Sequence, residues 1–307
     1  VVVVVVVGGD AGGGGGIIIT IMSPLLLLLV GVAALIKSAH AQTDCGLPYT
    51  SQDTRVRRQA EPSQTNESAP STLTVPALYS SCGAVVISDY FLLTAAYCVL
   101  KPDKPVNSVR LGDLDLAKEG EANSQPADYD IELIIIHPNF TDDPQTGIRY
   151  NDLALLKTKT QIQFNEAVFP FCISRTSPAV NTTVTVSGYG YVNDSHQPTH
   201  LQEGELQVMS LDDCVAEYRA KNRYNLLLSA YPDLLQGYGV VCAGHPNRGA
   251  CNGDEGGPVV RKDESGRQYL EGIISFTADI CGPTVLPTIS TSVADNYDFI
   301  TETIKYA

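Results

Sequence analysis

The stretch CNGDEGGPVV, residues 251–260, sets three glycines, an aspartate and a proline around one acidic side chain, Glu255. Glycine lets a backbone turn through conformations closed to other residues, so the pattern is that of a tight loop presenting the side chain at its centre. Such a loop is a scaffold for a nucleophile, and the place where it would carry a serine holds Glu255. Two readings stand open on these ten residues: a hydrolase whose nucleophile has been replaced, or a motif that only resembles one.

The surroundings are those of a β protein. Of the 307 residues, 44% are hydrophobic and 18% charged, enough to bury one sizeable core or two small ones. The net charge of −14 argues against nucleic acid as the main partner and favours a basic protein surface. Short β-branched or aromatic runs recur between turn residues: CGAVVISDYFLLTAAYC (82–98), IELIIIHPNF (131–140), NDLALLKTK (151–159), TVTVSGYG (183–190), LEGIISF (270–276) and TISTSV (288–293). Runs of this length and spacing predict an all-β barrel or sandwich. Two segments predict helices instead: SLDDCVAEYRAKN, with Ser210 as N-cap, and VADNYDFITETIKYA, with Tyr297, Ile300 and Ile304 on one face. There is no internal repeat or coiled-coil heptad.

The first 75 residues read differently. Residues 1–21 have neither helical period nor turn chemistry and read as translated upstream sequence. From Met22 an apolar run, Leu25 to Ile36, precedes Ala39-His40-Ala41, the pattern of a secretory signal peptide over 22–41. The run is shorter than the ~20 apolar residues of a membrane span, so no anchor is expected. Eight cysteines follow the signal, and an even count in that compartment implies disulfides. Sequons at Asn66, Asn139, Asn181 and Asn193 fit the same extracellular setting. Residues 42–75 form a light segment and linker rich in Ser, Thr, Gln, Pro and Arg, and the folded domain is expected over 76–307.

LTAAYC, NDLALL, SGYG, VCAG, CNGDEGGP and GIISF, in that order, resemble the chymotrypsin-like serine proteases, whose corresponding stretches read LTAAHC, NDIALL, SGWG, MCAG, CxGDSGGP and GIVSW. The resemblance covers residues 76–307 and implies an all-β, chymotrypsin-like double six-stranded β-barrel with a C-terminal α-helix. VRLGDLDL and the long insertion between Cys214 and Cys242 resemble the arthropod clip-domain branch, although no clip domain fits in the chain. The resemblance also implies a disulfide framework: Cys82 with Cys98, Cys214 with Cys242, Cys251 with Cys281, and Cys45 with Cys172, the last tethering the light segment to the barrels.

The family reaction needs a serine to attack a carbonyl, a histidine to carry its proton and an aspartate to orient that histidine. By resemblance the aspartate is Asp152, the histidine position is Tyr97 and the serine position is Glu255. Tyrosine titrates near ~10 and cannot act as a base at neutral pH, and a carboxylate titrating near ~4.3 is a weak nucleophile. Paired carboxylates could serve sugar chemistry, but Asp152 and Glu255 come with no sugar-binding signal. His137, His196, His200 and His245 lie outside the motifs and read as solvated loop residues. At the base of the specificity pocket stands Gly249, with Thr277 and Thr288 at the two wall positions, which should narrow or fill it. Gly253 and Asp254 are the remnant of the oxyanion loop, and Asp254 matches the acid that receives a new N-terminal amine in family zymogens.

The expected Ile-Val-Gly-Gly is absent, and RVRRQ, residues 55–59, stands near its place as a cleavage site, at Arg55 or at Arg58. An acidic loop, Asp113, Asp115, Glu119 and Glu121, falls where some family members bind calcium, the one cofactor considered, although a solvated charged loop is the plainer reading. The expectation is a secreted, non-catalytic serine protease homologue, acting as cofactor, adaptor or decoy in an extracellular immune or clotting type cascade. Its partners would be cascade proteases or their zymogen substrates. Two rivals are an active trypsin-like endopeptidase and a structural or adhesive glycoprotein.

Overall fold

A computed structural model describes residues 45–46, 82–100, 105–140, 148–193, 195–236, 239–277, 281 and 286–307, together with the backbone of strands at 4–8 and 17–19. Seven strands belong to the first barrel: β1 (Val4–Gly8), β2 (Ile17–Ile19), β3 (Gly83–Val86), β4 (Phe91–Thr94), β5 (Val106–Leu111), β6 (Ala127–Ile136) and β7 (Ala154–Thr158). The order β6-β5-β1-β3-β4-β7 closes through β6–β7 pairing into a six-stranded ring, with β2 lying parallel on β6. Leu92, Leu93, Ile135, Leu155 and Leu156 fill it. Each such side chain contributes about 1.5–3 kcal/mol by leaving water.

The upstream stretch set aside in the sequence takes part in this barrel. Val4–Gly8 runs antiparallel to both β3 and β5, pairing Val4 with Ala84 and Val6 with Val109. A run of valine has strong strand preference, and the gap between β3 and β5 offers two rows of unpaired backbone groups.

The second barrel holds β8 (Cys172–Ile173), β9 (Thr183–Gly188), β10 (Gln202–Val208), β11 (Val240–Gly244), β12 (Pro258–Lys262), β13 (Gln268–Phe276) and β14 (Thr288–Ser292). The order β12-β9-β10-β11-β14-β13 closes through β12–β13 pairing, and β8 adds in parallel to β13. Val184, Leu206, Val259 and Ile274 form its core. The sequence runs place seven strands of these barrels, β3, β4, β6, β7, β9, β13 and β14, but not the short or polar β5, β8 and β10, nor β11 and β12.

Among the described residues four α-helices complete the fold: α1 (Ala96–Val99), α2 (Leu211–Ala220), α3 (Tyr224–Ala230) and α4 (Tyr297–Tyr306). Ser210 caps α2 as expected, its hydroxyl accepting the Asp213 N–H at 3.1 Å. Helix α3 has no side-chain cap, which is why the sequence conceals it. Together α2 and α3 bury Tyr218, Leu227 and Tyr231 against Phe276 of β13. On α4, Ile300 is fully buried and Ile304 packs beside it. Among the described residues, no helix is long and apolar enough to cross a membrane.

Disulfides join Cys82 to Cys98, Cys214 to Cys242, Cys251 to Cys281 and Cys45 to Cys172, the pairs that the resemblance implies. The light-segment tether is reinforced by backbone bonds, Gly46 N–H to Pro170 O at 2.7 Å and Gln268 N–H to Gly46 O at 2.8 Å. The rest of the linker, Arg55, Arg58 and Asn66 among it, lies outside the described residues, as does the proposed signal peptide.

His137 corrects the reading of a solvated loop histidine. It is buried, stacks edge-on against Phe299 of α4 with 4.5 Å between ring centres, and its Nδ1 accepts the Asn139 N–H at 3.2 Å. Burial pushes its pKa down to about 4. The unfolded chain, with a histidine near ~6.5, binds the extra proton first as pH falls, so the stability supplied by neutral His137 is present above about pH 6.5 and lost towards pH 4. In urea titrations from pH 7 to pH 4, the wild type should lose about 1–2 kcal/mol relative to its difference from His137→Gln at pH 7, solvent screening reducing the full effect. A parallel pH dependence in the two proteins would refute this assignment.

Candidate functional site

The cleft lies between the barrels, where α1, the loop before β7 and the loop before β12 meet. Tyr97 on α1 contributes its backbone N–H to Oδ1 of Asp152 at 2.8 Å. The other carboxylate oxygen accepts the Ser275 hydroxyl of β13 at 2.7 Å, and Thr291 of β14 donates to the Asp152 carbonyl at 3.0 Å. Asp152 is fully buried. Loss of water pushes its pKa up to about 6, against the pull of Ser275, the Tyr97 N–H and the Arg149 charge, while Glu255 adds to the rise. Ser275 spends its one proton on Asp152, so Tyr231, 2.8 Å away, donates to Ser275. A directed chain results, Tyr231 to Ser275 to Asp152.

The Glu255 side chain is held at both ends. Oε1 accepts the Thr277 hydroxyl at 2.6 Å and Oε2 accepts the Gly253 N–H at 2.8 Å. The Gly253 N–H belongs to the turn whose donors would face a developing oxyanion in a nucleophile loop; here it faces the chain's own carboxylate. The Glu255 carbonyl accepts the Gly83 N–H at 2.7 Å, locking the loop to the first barrel. Gly256 makes that lock fit: its φ is +80°, and a Cβ there would strike the Gly83 carbonyl and the Thr94 hydroxyl.

Thr277, expected from the sequence at a pocket wall, bonds the loop carboxylate instead. It is buried and spans the 22 residues between itself and Glu255 to bond the carboxylate. Thr288, also buried, accepts the Ala250 N–H at 3.1 Å, beside half-buried Gly249. Asp254 turns the other way. Its oxygens accept the Gly190 N–H at 2.8 Å and the Cys251 N–H at 2.9 Å, and it borders a cavity of about 200 Å³ lined also by Gly188, Tyr191 and Arg248. Separation from bulk water pushes its pKa up to about 7, with the two N–H groups opposing and Glu255 assisting. Gly190 is required there because any side chain would collide with the Asp254 carboxyl.

Two carboxylates of the acidic loop are paired with cationic side chains. Asp113 pairs with Arg110 at 2.7 Å and Asp115 with Lys118 at 3.0 Å. Asp113 Oδ1 and Glu121 Oε2 are buried without a hydrogen-bond partner, while Glu119 is exposed. Among the described residues no group of three acids, histidines or cysteines could hold a metal. The sequons at Asn139, Asn181 and Asn193 are exposed.

One residue of the cleft escaped the sequence reading. The Arg149 guanidinium lies 3.8 Å from the centre of the Tyr97 ring, and its Nη1 donates to the Ser275 carbonyl at 2.9 Å. A basic residue just ahead of the motif aspartate was the available signal. Tyr231, from the insertion between Cys214 and Cys242, was likewise invisible, since nothing in its own segment points to Ser275.

The Glu255–Thr277 contact can be measured. A hydrogen bond to a carboxylate is worth about 1.5–3 kcal/mol, less where water screens it, so Thr277→Val should cost about 1–2 kcal/mol in urea unfolding. In a double-mutant cycle with Glu255→Ala, most of that loss should vanish. Additive losses would mean that the two side chains stabilise the fold independently.

Residues 54–300 match the family model described as Trypsin. The chain is 32% identical over 238 residues to Serine protease 7 of Drosophila melanogaster, covering 73% of this chain and 58% of that protein. It is 31% identical over 238 residues to Phenoloxidase-activating factor 3 of Holotrichia diomphalia, covering 73% and 64%. A third relative, CLIP domain-containing serine protease B4 of Anopheles gambiae, is 30% identical over 236 residues, covering 73% and 62%. The chain thus spans about three-fifths of the length of these curated relatives. Among solved structures, mouse neuropsin, a serine protease of the limbic system, superposes with a TM-score of 0.58 at 28% identity, covering 73% of this chain and 89% of that one. The double barrel, the cleft between its halves and a family match over most of the length agree: the chain belongs to the trypsin family.

Proposed function

We propose that this chain is a secreted, non-catalytic member of the trypsin family, serving as cofactor, adaptor or decoy in an extracellular proteolytic cascade. The observation that carries the reading is the Glu255 side chain, which stands where a nucleophile is needed and is fastened to Gly253 and Thr277. A carboxylate so held is a poor nucleophile, and Tyr97 offers no base at neutral pH. The four disulfides and the exposed sequons support an extracellular setting. A relative named for activating phenoloxidase and another named for its CLIP domain support a cascade of the insect immune type. The partners in this scheme are cascade proteases or their zymogen substrates, and the net charge of −14 favours a basic face on them.

Cleavage within residues 55–59 is the proposed switch. A cut after Arg58 exposes Gln59, which can cyclise and lose its charge; a cut after Arg55 frees Val56 but brings Arg57 and Arg58 behind it, costly to bury. The first is the preferred route, and it exposes a binding surface without ordering a catalytic one.

Family membership alone favours the rival, an active serine endopeptidase, and a single experiment separates the two. The purified protein should neither hydrolyse peptide or ester substrates nor take up a serine-directed organophosphate. Loss of base and nucleophile costs several orders of magnitude in rate. Restoring Tyr97→His and Glu255→Ser together should give at most weak turnover, because Thr277 and Thr288 still fill the pocket. Turnover by the wild type that disappears in Glu255→Ala would overturn the non-catalytic reading.

A further inference from the structure

Where the light segment meets the second barrel, a cavity of about 580 Å³ is bordered by both cysteines of the Cys45–Cys172 bridge and by three arginines, Arg175, Arg261 and Arg267. In a chain of net charge −14 this is a local concentration of positive charge. Aromatic faces hold two of the guanidiniums: Arg175 lies 4.4 Å from the centre of the Tyr297 ring and Arg261 4.7 Å from that of Tyr269. Arg261 spends its Nε on the buried Glu271 carboxylate at 2.7 Å. Arg175 is exposed and forms no ion pair among the described residues. The one carboxylate lining the cavity, Asp263, is turned to its own loop, where Oδ1 accepts the Ser265 and Arg267 N–H groups, each at 2.9 Å.

Arg267 lies on the bridge itself. Its Nη1 is 3.8 Å from Cys45 Sγ and 3.7 Å from Cys172 Sγ, and it donates to the Cys45 carbonyl at 2.5 Å. A thiolate leaving from either sulfur would form beside a guanidinium, which stabilises it and makes it the better leaving group. Both cysteines are buried yet border the cavity, so a reductant reaches the sulfurs past the arginines, and a cleft lined by one sign of charge concentrates the other. Of the four bridges, this is the one whose two cysteines line the same cavity among the described residues. We infer that the cavity binds a small thiol carrying a carboxylate, with the carboxylate on the guanidiniums and the sulfur at the bridge, and that Cys45–Cys172 is a site of thiol–disulfide exchange. The thiolate attacks Cys45 Sγ, the S–S bond breaks with its electron pair on Cys172 Sγ, and a mixed disulfide forms. A second thiol attacks the mixed disulfide and releases Cys45, so two thiols are oxidised to one disulfide while both cysteines are reduced. The light segment keeps the Gly46 backbone bonds to Pro170 and Gln268 but loses its covalent tie across the bridge. Neither Glu255 nor Tyr97 takes part.

The test exposes the full chain to mercaptopropionate, mercaptoethanol or cysteamine at equal thiolate concentration, then alkylates the freed cysteines and identifies them by mass spectrometry. Mercaptopropionate should open Cys45–Cys172 about tenfold faster than uncharged mercaptoethanol, with cationic cysteamine slowest, and Cys82–Cys98 should show no such order. Arg175→Gln, at an exposed position, should reduce the preference for mercaptopropionate and leave the mercaptoethanol rate unchanged. Arg267→Gln should slow all three thiols, and Arg267→Lys, which keeps a cation near the sulfurs, should restore much of the rate. Equal rates for the three thiols at Cys45–Cys172, the same preference at Cys82–Cys98, or a preference untouched by Arg175→Gln would each overturn the inference.

Discussion

Burial of the Asp152 carboxylate is the constraint around which the cleft is organised. A carboxylate without water is costly unless donors surround it, and here the donors come from both barrels. Tyr97 gives its backbone N–H from the end of the first, and Ser275 gives its hydroxyl from β13 of the second. Thr291 holds the adjoining carbonyl from β14. Shifting one barrel against the other would strip the carboxylate of a donor, so the charge sets their relative position. The same carboxylate draws in Arg149 and, through Ser275, orients Tyr231. The insertion that carries α3 and Tyr231 is thereby fixed to the cleft by a polar chain as well as by its packing on Phe276.

Glu255 adds charge to a region already acidic. It raises the proton affinity of both Asp152 and Asp254, so an unanchored carboxylate would be unfavourable there. The Thr277 hydroxyl and the Gly253 N–H offset that cost by donating hydrogen bonds to the two carboxylate oxygens. This is why the wall threonine and the loop glutamate are better read as one replacement than as two. A glycine at the wall would leave one carboxylate oxygen without its hydroxyl, and a serine in the loop would leave the Thr277 hydroxyl with Asn252 Oδ1, 3.3 Å away, as its acceptor.

Much of this was legible in the residues. The ordered motifs located Tyr97, Asp152, Asp254 and Glu255, and the period of the last helix located Ile300 on its buried face. What stayed hidden was contact between distant segments. Thr277 reads as a pocket-wall substitution until the structure brings it to Glu255, and Arg149 belongs to no motif and is found only where it lies on Tyr97. The valine run at 4–8 has no amphipathic period to mark it, and only its pairing with β3 and β5 shows it as a strand. His137 was misjudged because burial depends on α4, whose Phe299 arrives from the far end of the chain.

Asp254 shows how the proposed cleavage would register physically. Its pKa of about 7 arises from burial opposed only by two backbone N–H groups, so near neutrality it is divided between its charged and neutral forms. The unfolded carboxyl, near ~3.9, releases its proton far earlier, and so the folded state binds the proton more tightly across the interval between. By linkage, this residue's contribution to stability improves as pH falls from about 7 towards 4 and is level outside that window. A new amine lodged in the adjoining cavity would reverse the sign: it would hold Asp254 ionised, drive its pKa below the unfolded value and make acid destabilising. Cleavage after Arg58 brings no such amine once Gln59 has cyclised, and the acid-favoured form of the loop persists. The two routes through the linker thus differ in the direction of a pH slope at one carboxyl, which ties the fate of a distant bond to the electrostatics of the loop beside Glu255.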